Sequence, residues 1–234
     1  MHAQPDDSTC GPTCLHAVYQ HYGDILSLKD VIREIPVVAG GGTLGVYLGN
    51  HALRRGYGAT TYTYNLRVFD PTWFRDGEVI DDISERLLRQ LEYKDGTKFR
   101  QTTLAYLEFL GLGGQLRYAD LDESLLQRHL EQGEPILVGL SATYLYGCAR
   151  ETSDALLSEF DDVRGRPMGH FVLLTAYDRE THKVRVADPL HSNPMGEGHY
   201  YDVSMPRLMG AIFLGVMTYD GNLLVIHRGR AEHA

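Results

Sequence analysis

The sequence predicts an α+β protein, with helices in the N-terminal half and an antiparallel sheet in the C-terminal third. Two observations carry this. Apolar residues recur at helical spacing from the first segment onward, beginning with Cys14, Val18 and Tyr22. From Gly169 to His227, short apolar and β-branched stretches alternate with turn residues instead. Helices followed by strands in this way define an α+β layout.

The first helix is expected just after Cys10, with Pro12 in its opening turn and Gly23 as its stop. A second, Leu28–Ile35, is opened by Ser27 with Asp30 three residues on. A third, Leu44–Arg55, ends at Gly56, and Ala59–Leu66 reads as a strand rich in Thr and Tyr. Asp82 with Glu85 has the spacing of a capping box, and a further helix covers Thr102–Leu110. Asp120 with Glu123 is expected to cap a helix reaching Leu130. Ile136–Tyr146 reads as a strand and Ser153–Phe160 as a helix. The remaining strands are Gly169–Tyr177, Lys183–Asp188, Gly198–Val203, Ala211–Tyr219 and Leu223–His227.

Bulk properties narrow the function. A chain of 234 residues suits one domain, residues 1–234, and two would be cramped. The net charge of -9, without a concentrated basic patch, argues against nucleic acid or an anionic membrane as partner. No apolar run approaches the roughly 20 residues of a membrane span. The start, Met-His-Ala-Gln-Pro-Asp-Asp, lacks the apolar stretch of a signal peptide. Three cysteines cannot all pair within one chain, which suits free thiols and the reducing cytoplasm.

Cys10 stands in Ser8-Thr9-Cys10-Gly11-Pro12-Thr13-Cys14 at the start of the first helix. Unpaired N–H groups and the helix dipole favour an anion there, as a nucleophilic thiol requires. Cys14 falls on the core face of the same helix and reads as a small buried hydrophobe. His170 and Asp188 lie on two strands joined by a polar turn, Asp178 to His182. A turn centred near Glu180 or one residue earlier sets Asp188 opposite or diagonal to His170. Cross-strand neighbours of that kind are about 4.5–8 Å apart, close enough for the Asp to orient the imidazole. Gln4, six residues before Cys10, can supply a side-chain amide to a developing oxyanion.

Together these residues resemble the papain-like superfamily, and within it the bacteriocin-processing peptidases that cut after a double-glycine leader. Gln4 with Cys10-Gly11, the helix from Cys14 to Gly23, the strand Gly169–Leu173 and Asp188-Pro189 carry the resemblance, over about residues 4–66 and 120–215. It implies a papain-like cysteine peptidase fold, N-terminal helices packed on a C-terminal antiparallel β-sheet, in a form without the transporter. It also implies thiol-dependent cleavage of a peptide or protein substrate, with Cys10, His170 and Asp188 catalytic and Gln4 at the oxyanion hole. No cofactor and no metal are implied. Segments 68–118 and 142–168 read as insertions that shape a different pocket. The Cys-Gly-Pro-Thr wording is also similar to that of phytochelatin synthases, so peptidyl or γ-glutamyl transfer is the alternative reaction. A non-catalytic peptide-binding domain is the third reading. Oligomeric state is not encoded in any motif.

Two patterns are set aside. Gly40, Gly42 and Gly45 satisfy G-x-G-x-x-G, but position 65 is Asn where a dinucleotide site wants an acid; a loop near the cleft is expected instead. The eleven histidines include no helical His pair with an intervening Glu, and the cysteines form no zinc spacing.

Overall fold

The computed structural model describes residues 1–38, 41–152, 159–218 and 220–229. Three helices come first: α1 (Cys10–His21), α2 (Leu28–Glu34) and α3 (Gly45–Arg54). Ser27 caps α2 by accepting the Asp30 N–H. Strand β1 (Tyr57–Thr63) follows, starting and ending slightly earlier than Ala59–Leu66. Residues 68–118 then supply β2 (Phe74–Arg75), β3 (Glu78–Val79), α4 (Ile83–Gln90), α5 (Thr97–Gly111) and β4 (Gln115–Arg117). The side chain of Asp82 does not cap α4; it pairs with Arg86 one turn on. Gly96, at a positive φ only glycine takes easily, lets α5 begin at Thr97 instead of Thr102.

The rest of the chain is α6 (Glu123–Glu131), β5 (Ile136–Ser141), α7 (Ala142–Tyr146), β6 (Glu151–Thr152), β7 (Glu159–Phe160), β8 (Gly169–Asp178), β9 (Lys183–Ala187), β10 (Tyr200–Ser204), α8 (Met205–Gly215) and β11 (Asn222–Arg228). Four expectations need correcting here. Asp122, not Asp120, caps α6, accepting the Leu125 N–H at 2.8 Å. The strand expected to Tyr146 stops at Ser141, whose hydroxyl accepts the Tyr144 N–H and turns the chain into α7. The helix expected at Ser153–Phe160 is replaced at its end by β7, which pairs with β6; residues 153–158 lie outside the described residues. In place of the strand expected at Ala211–Tyr219, Ala211–Gly215 form the second half of α8 and Val216–Thr218 a 3₁₀ turn; Tyr219 lies outside the described residues. Met205, Leu208, Ala211, Ile212 and Gly215 are buried at helical spacing, and Pro206 suits the first turn.

Among the described residues the main sheet has nine strands in the order β10-β9-β8-β5-β11-β1-β4-β3-β2. All pairings are antiparallel except β1 with β4. The sheet is therefore not confined to the C-terminal third: β1 sits beside β11, and residues 68–118 extend its far edge. Helices cover both faces, which is why its central strands are apolar almost throughout. One buried cluster joins Leu15, Val18 and Leu48 to Phe171 and Leu173. The other joins Leu126, Leu145 and Leu208 to Val172 and Leu174. Alternate residues of β8 thus point into two different cores.

Candidate active site

The turn before α1 is built to hold Cys10 still. Asp6 accepts the Ser8 N–H at 2.8 Å and the Ser8 hydroxyl at 2.7 Å, and the Thr9 hydroxyl donates to the Asp6 carbonyl at 3.0 Å. Gly11 then allows close approach. A Cβ there would fall 2.7 Å from Thr43 Cγ2, 3.1 Å from the Phe171 ring and 3.2 Å from Leu48 Cδ1, all shorter than an ordinary carbon contact. The start of α1 is therefore pressed between α3 and β8.

One turn along, the buried Cys14 thiol donates to the Phe171 carbonyl at 3.3 Å. That bond fixes the register of helix against strand. Cys10 is one turn back from Cys14, and His170 is one residue back from Phe171. The two meet at the start of β8, where both line one cleft and the charge on Cys10 acts on the His170 imidazole. Both are 8% exposed, and the cleft measures about 410 Å³.

The other side of the imidazole faces Asp188. His170 Nε2–H donates to Asp188 Oδ1 at 2.8 Å. In the β8–β9 ladder Leu173 faces Ala187 and Leu174 faces Val186, so Asp188 lies diagonal to His170. Asp188 has no exposed surface and a full set of donors. Oδ1 also accepts the Leu190 N–H at 2.9 Å. Oδ2 accepts the hydroxyls of Tyr146 and Tyr201, each at 2.7 Å. The backbone is clamped as well: Asp188 N–H donates to the His199 carbonyl at 2.8 Å, and His199 Nδ1–H donates back to the Asp188 carbonyl at 2.7 Å.

Burial works against charge on both partners, and the local contacts reverse it. Burial alone would lower the His170 pKa; the charge on Cys10 and the hydrogen bond to Asp188 raise it above the ordinary histidine value. Burial alone would raise the Asp188 pKa; His170 and the two phenols bring it below the ordinary carboxylate value. Tyr146 and Tyr201 are pushed far up, by burial first and by the Asp188 charge second, and stay neutral donors.

Gln4 sits apart from the cleft lining. Its backbone N–H donates to the Pro189 carbonyl at 2.9 Å, and its Nε2 donates to the Asp6 carbonyl at 3.0 Å. It is thus attached both to the turn that carries Cys10 and to the residue after Asp188. Of the glycine run, Gly41 and Gly42 line the cleft; Gly40 lies outside the described residues.

The two tyrosines are absent from the sequence reading of the site. Tyr146 ends an apolar run, Ile136–Tyr146, that carries the pattern of a strand and no mark of the turn at Ser141. Tyr201 left a fainter signal: it pairs with Val186, two residues before Asp188 on the same face. A hydroxyl on a buried strand face needs a partner, and Asp188 is the one within reach.

With this geometry established, the chain resembles the C39-like peptidases in two ways. Residues 101–207 match the Peptidase_C39 like family, a stretch that includes His170 and Asp188 and leaves out Gln4 and Cys10. The fold is similar to that in the crystal structure of a proposed C39-like peptidase from Bacillus anthracis, with a TM-score of 0.51 and 14% identity over 98% of this chain and 95% of that one. No curated protein matches the sequence. Among the described residues no helix is long and apolar enough to cross a membrane.

Proposed function

We propose that this chain is a cysteine peptidase of papain-like architecture that cleaves a peptide or isopeptide-like amide through a thioester on Cys10. One observation carries the reading: a single buried imidazole shares its cleft with a thiol at a helix start, whose charge acts on it, and donates on its other side to a buried carboxylate. That is the arrangement of an activated nucleophile, its base and the group orienting the base.

In this reading His170 takes the Cys10 proton and the thiolate attacks the scissile carbonyl carbon. Negative charge moves to the carbonyl oxygen, where the Cys10 backbone N–H and the second Nε2–H of Gln4 receive it. The first N–H groups of a helix have no carbonyl partner within it, and preorganised donors of this kind stabilise the transition state. The intermediate collapses, His170 protonates the leaving amine, and the acyl group stays on sulfur. Water, deprotonated by His170, then attacks the thioester, releases the carboxylate and restores the thiol. Asp188 keeps Nε2 protonated throughout and transfers no proton. Three free thiols suit a reducing compartment.

Mass spectrometry of products from a peptide library, beside the Cys10→Ala variant, tests this. Products with new carboxyl termini should form with the parent and vanish with the variant. Products capped by an added amine or thiol acceptor would indicate transfer instead of hydrolysis. Turnover that survives Cys10→Ala would overturn the reading.

A further inference from the structure

Asp188 is held by more groups than orienting a histidine requires. Its Oδ1 is shared by His170 and the Leu190 N–H. Its Oδ2 takes nothing from the backbone and is served by two phenols from different elements, Tyr146 at the close of α7 and Tyr201 on β10. Tyr146 also packs on the imidazole it serves indirectly, with ring centroids 6.2 Å apart. A protonated carboxyl would force one phenol to turn its hydrogen away and accept instead. The site as built favours the anion.

We infer that Tyr146 and Tyr201 are positioning residues, whose hydroxyls together hold Asp188 as an oriented carboxylate so that His170 keeps a charged partner while Cys10 is a thiolate. The inference rests on the proposed role of Cys10 and His170, and it adds two residues that neither the fold nor the sequence pattern assigns. Burial is the largest influence on Asp188 and favours its neutral form. With both phenols gone, that influence is opposed only from the Oδ1 side. A proton then settles on Asp188 as pH falls, and His170 loses the charge that supports its imidazolium. The other ionisable groups within reach are Cys14 and Cys10 on α1, Glu151 on β6 and His199 beside the Asp188 backbone, and Tyr→Phe changes leave all four in place.

The two hydroxyls share one oxygen, which sets a signature that simple loss of packing lacks. Either alone still satisfies Oδ2; removing both leaves a buried acceptor without a donor. An unsatisfied buried group costs more than the mean hydrogen bond, so the double change should exceed the sum of the single ones.

The test uses the full chain and iodoacetamide as the probe, with Cys10 modification followed by mass spectrometry from pH 4 to 9. Tyr146→Phe and Tyr201→Phe should each move the acidic limb of the rate profile up by about half a pH unit, and the double variant by about two units. Rates at the alkaline end should stay within about twofold of the parent. Protection of Cys14 reports that each variant is folded. An unmoved acidic limb in both single variants overturns the inference, whether or not the double variant folds. Strictly additive shifts overturn the shared-acceptor argument. His170→Ala separates the underlying reading: if Cys10 in that variant reacts at pH 6 as fast as in the parent, the Cys10–His170 pair is wrong, whatever the tyrosine variants do.

Discussion

The backbone N–H of Gly45 donates to Asp220 Oδ1 at 3.0 Å, so a carboxylate from the far end of the chain closes the N-terminus of α3. Leu44, at the N-cap position, offers no side-chain acceptor of its own. Burial raises Asp220 to a pKa of about 7, against the opposing influence of Gly45 and Lys98. A carboxyl whose folded pKa lies above its unfolded value binds its proton more tightly in the native state. Stability therefore falls as pH rises from about 4 to about 7 and levels off above that. Asp220→Asn keeps an acceptor for Gly45 and removes this slope. The variant should gain up to about 4 kcal/mol over the parent at pH 8 and nothing at pH 4. Urea unfolding at the two pH values measures it, and equal differences at both would contradict the assignment.

Iodoacetamide at pH 6 should label Cys10 well before Cys14 and Cys148. Burial holds the thiols of Cys14 and Cys148 in the protonated form, whereas Cys10 shares its cleft with an imidazole that is itself held positive. Preferential labelling of Cys148 would remove Cys10 as the nucleophile.

His170→Ala should abolish turnover, while Asp188→Asn should retain at least about tenfold more than Asp188→Ala. The Leu190 N–H requires an acceptor at the Oδ1 position, so an Asn amide must turn its oxygen that way and its NH₂ toward the two phenol oxygens. His170 Nε2–H then still finds an acceptor, and the wrong-tautomer penalty of other triads is avoided. Kinetics on any substrate found in the peptide library decide it; equal loss in the two variants refutes the orienting role.

Gln4→Ala should lower kcat by roughly a hundred- to a thousand-fold, as loss of one oxyanion donor does, with little change in KM. Alkylation of Cys10 should be nearly unaffected, because forming the thiolate does not use the amide. Turnover within about threefold of the parent would leave Gln4 as a strut between Asp6 and Pro189.

Gly139→Ala tests the packing beneath the cleft. A Cβ there would lie 2.3 Å from the Asp220 carbonyl oxygen and 2.5 Å from its Cβ. Backbone cannot step aside cheaply, so the variant should lose about 3 kcal/mol in urea unfolding. A loss below about 0.5 kcal/mol would show that the 220 region yields freely.

What could be read from sequence was what chain neighbours decide. The Ser27 cap of α2, the spacing of Cys14 and Val18, and the β8–β9 hairpin that makes His170 and Asp188 neighbours all depend on residues a few positions apart or on one turn. What could not be read depended on distant partners. Ala211–Tyr219 reads as a strand on its own, because the helical period of its first half is completed only by Met205 and Leu208 upstream. Tyr146 and Tyr201 come together only through the sheet, where β5 and β10 lie on opposite sides of the β8–β9 pair. The strands from 68–118 join an edge whose other member, β1, precedes them in sequence, and no local pattern announces that pairing.

The place of β11 in the sheet has a consequence for how the protein is made. Strand β11 lies between β5 and β1, antiparallel to both, so the middle of the sheet stays open until residues 222–228 have been synthesised. Until then β1 and β5 present open apolar edges, the situation in which nascent chains associate wrongly. Helix α1 docks on a surface that includes β8 and β11 side chains, so Cys10 and His170 come into register only when the strand arrives. A ribosome-bound chain lacking residues 222–228 should therefore carry an unprotected Cys14, and Cys10 should take its place beside His170 only once that strand has joined the sheet.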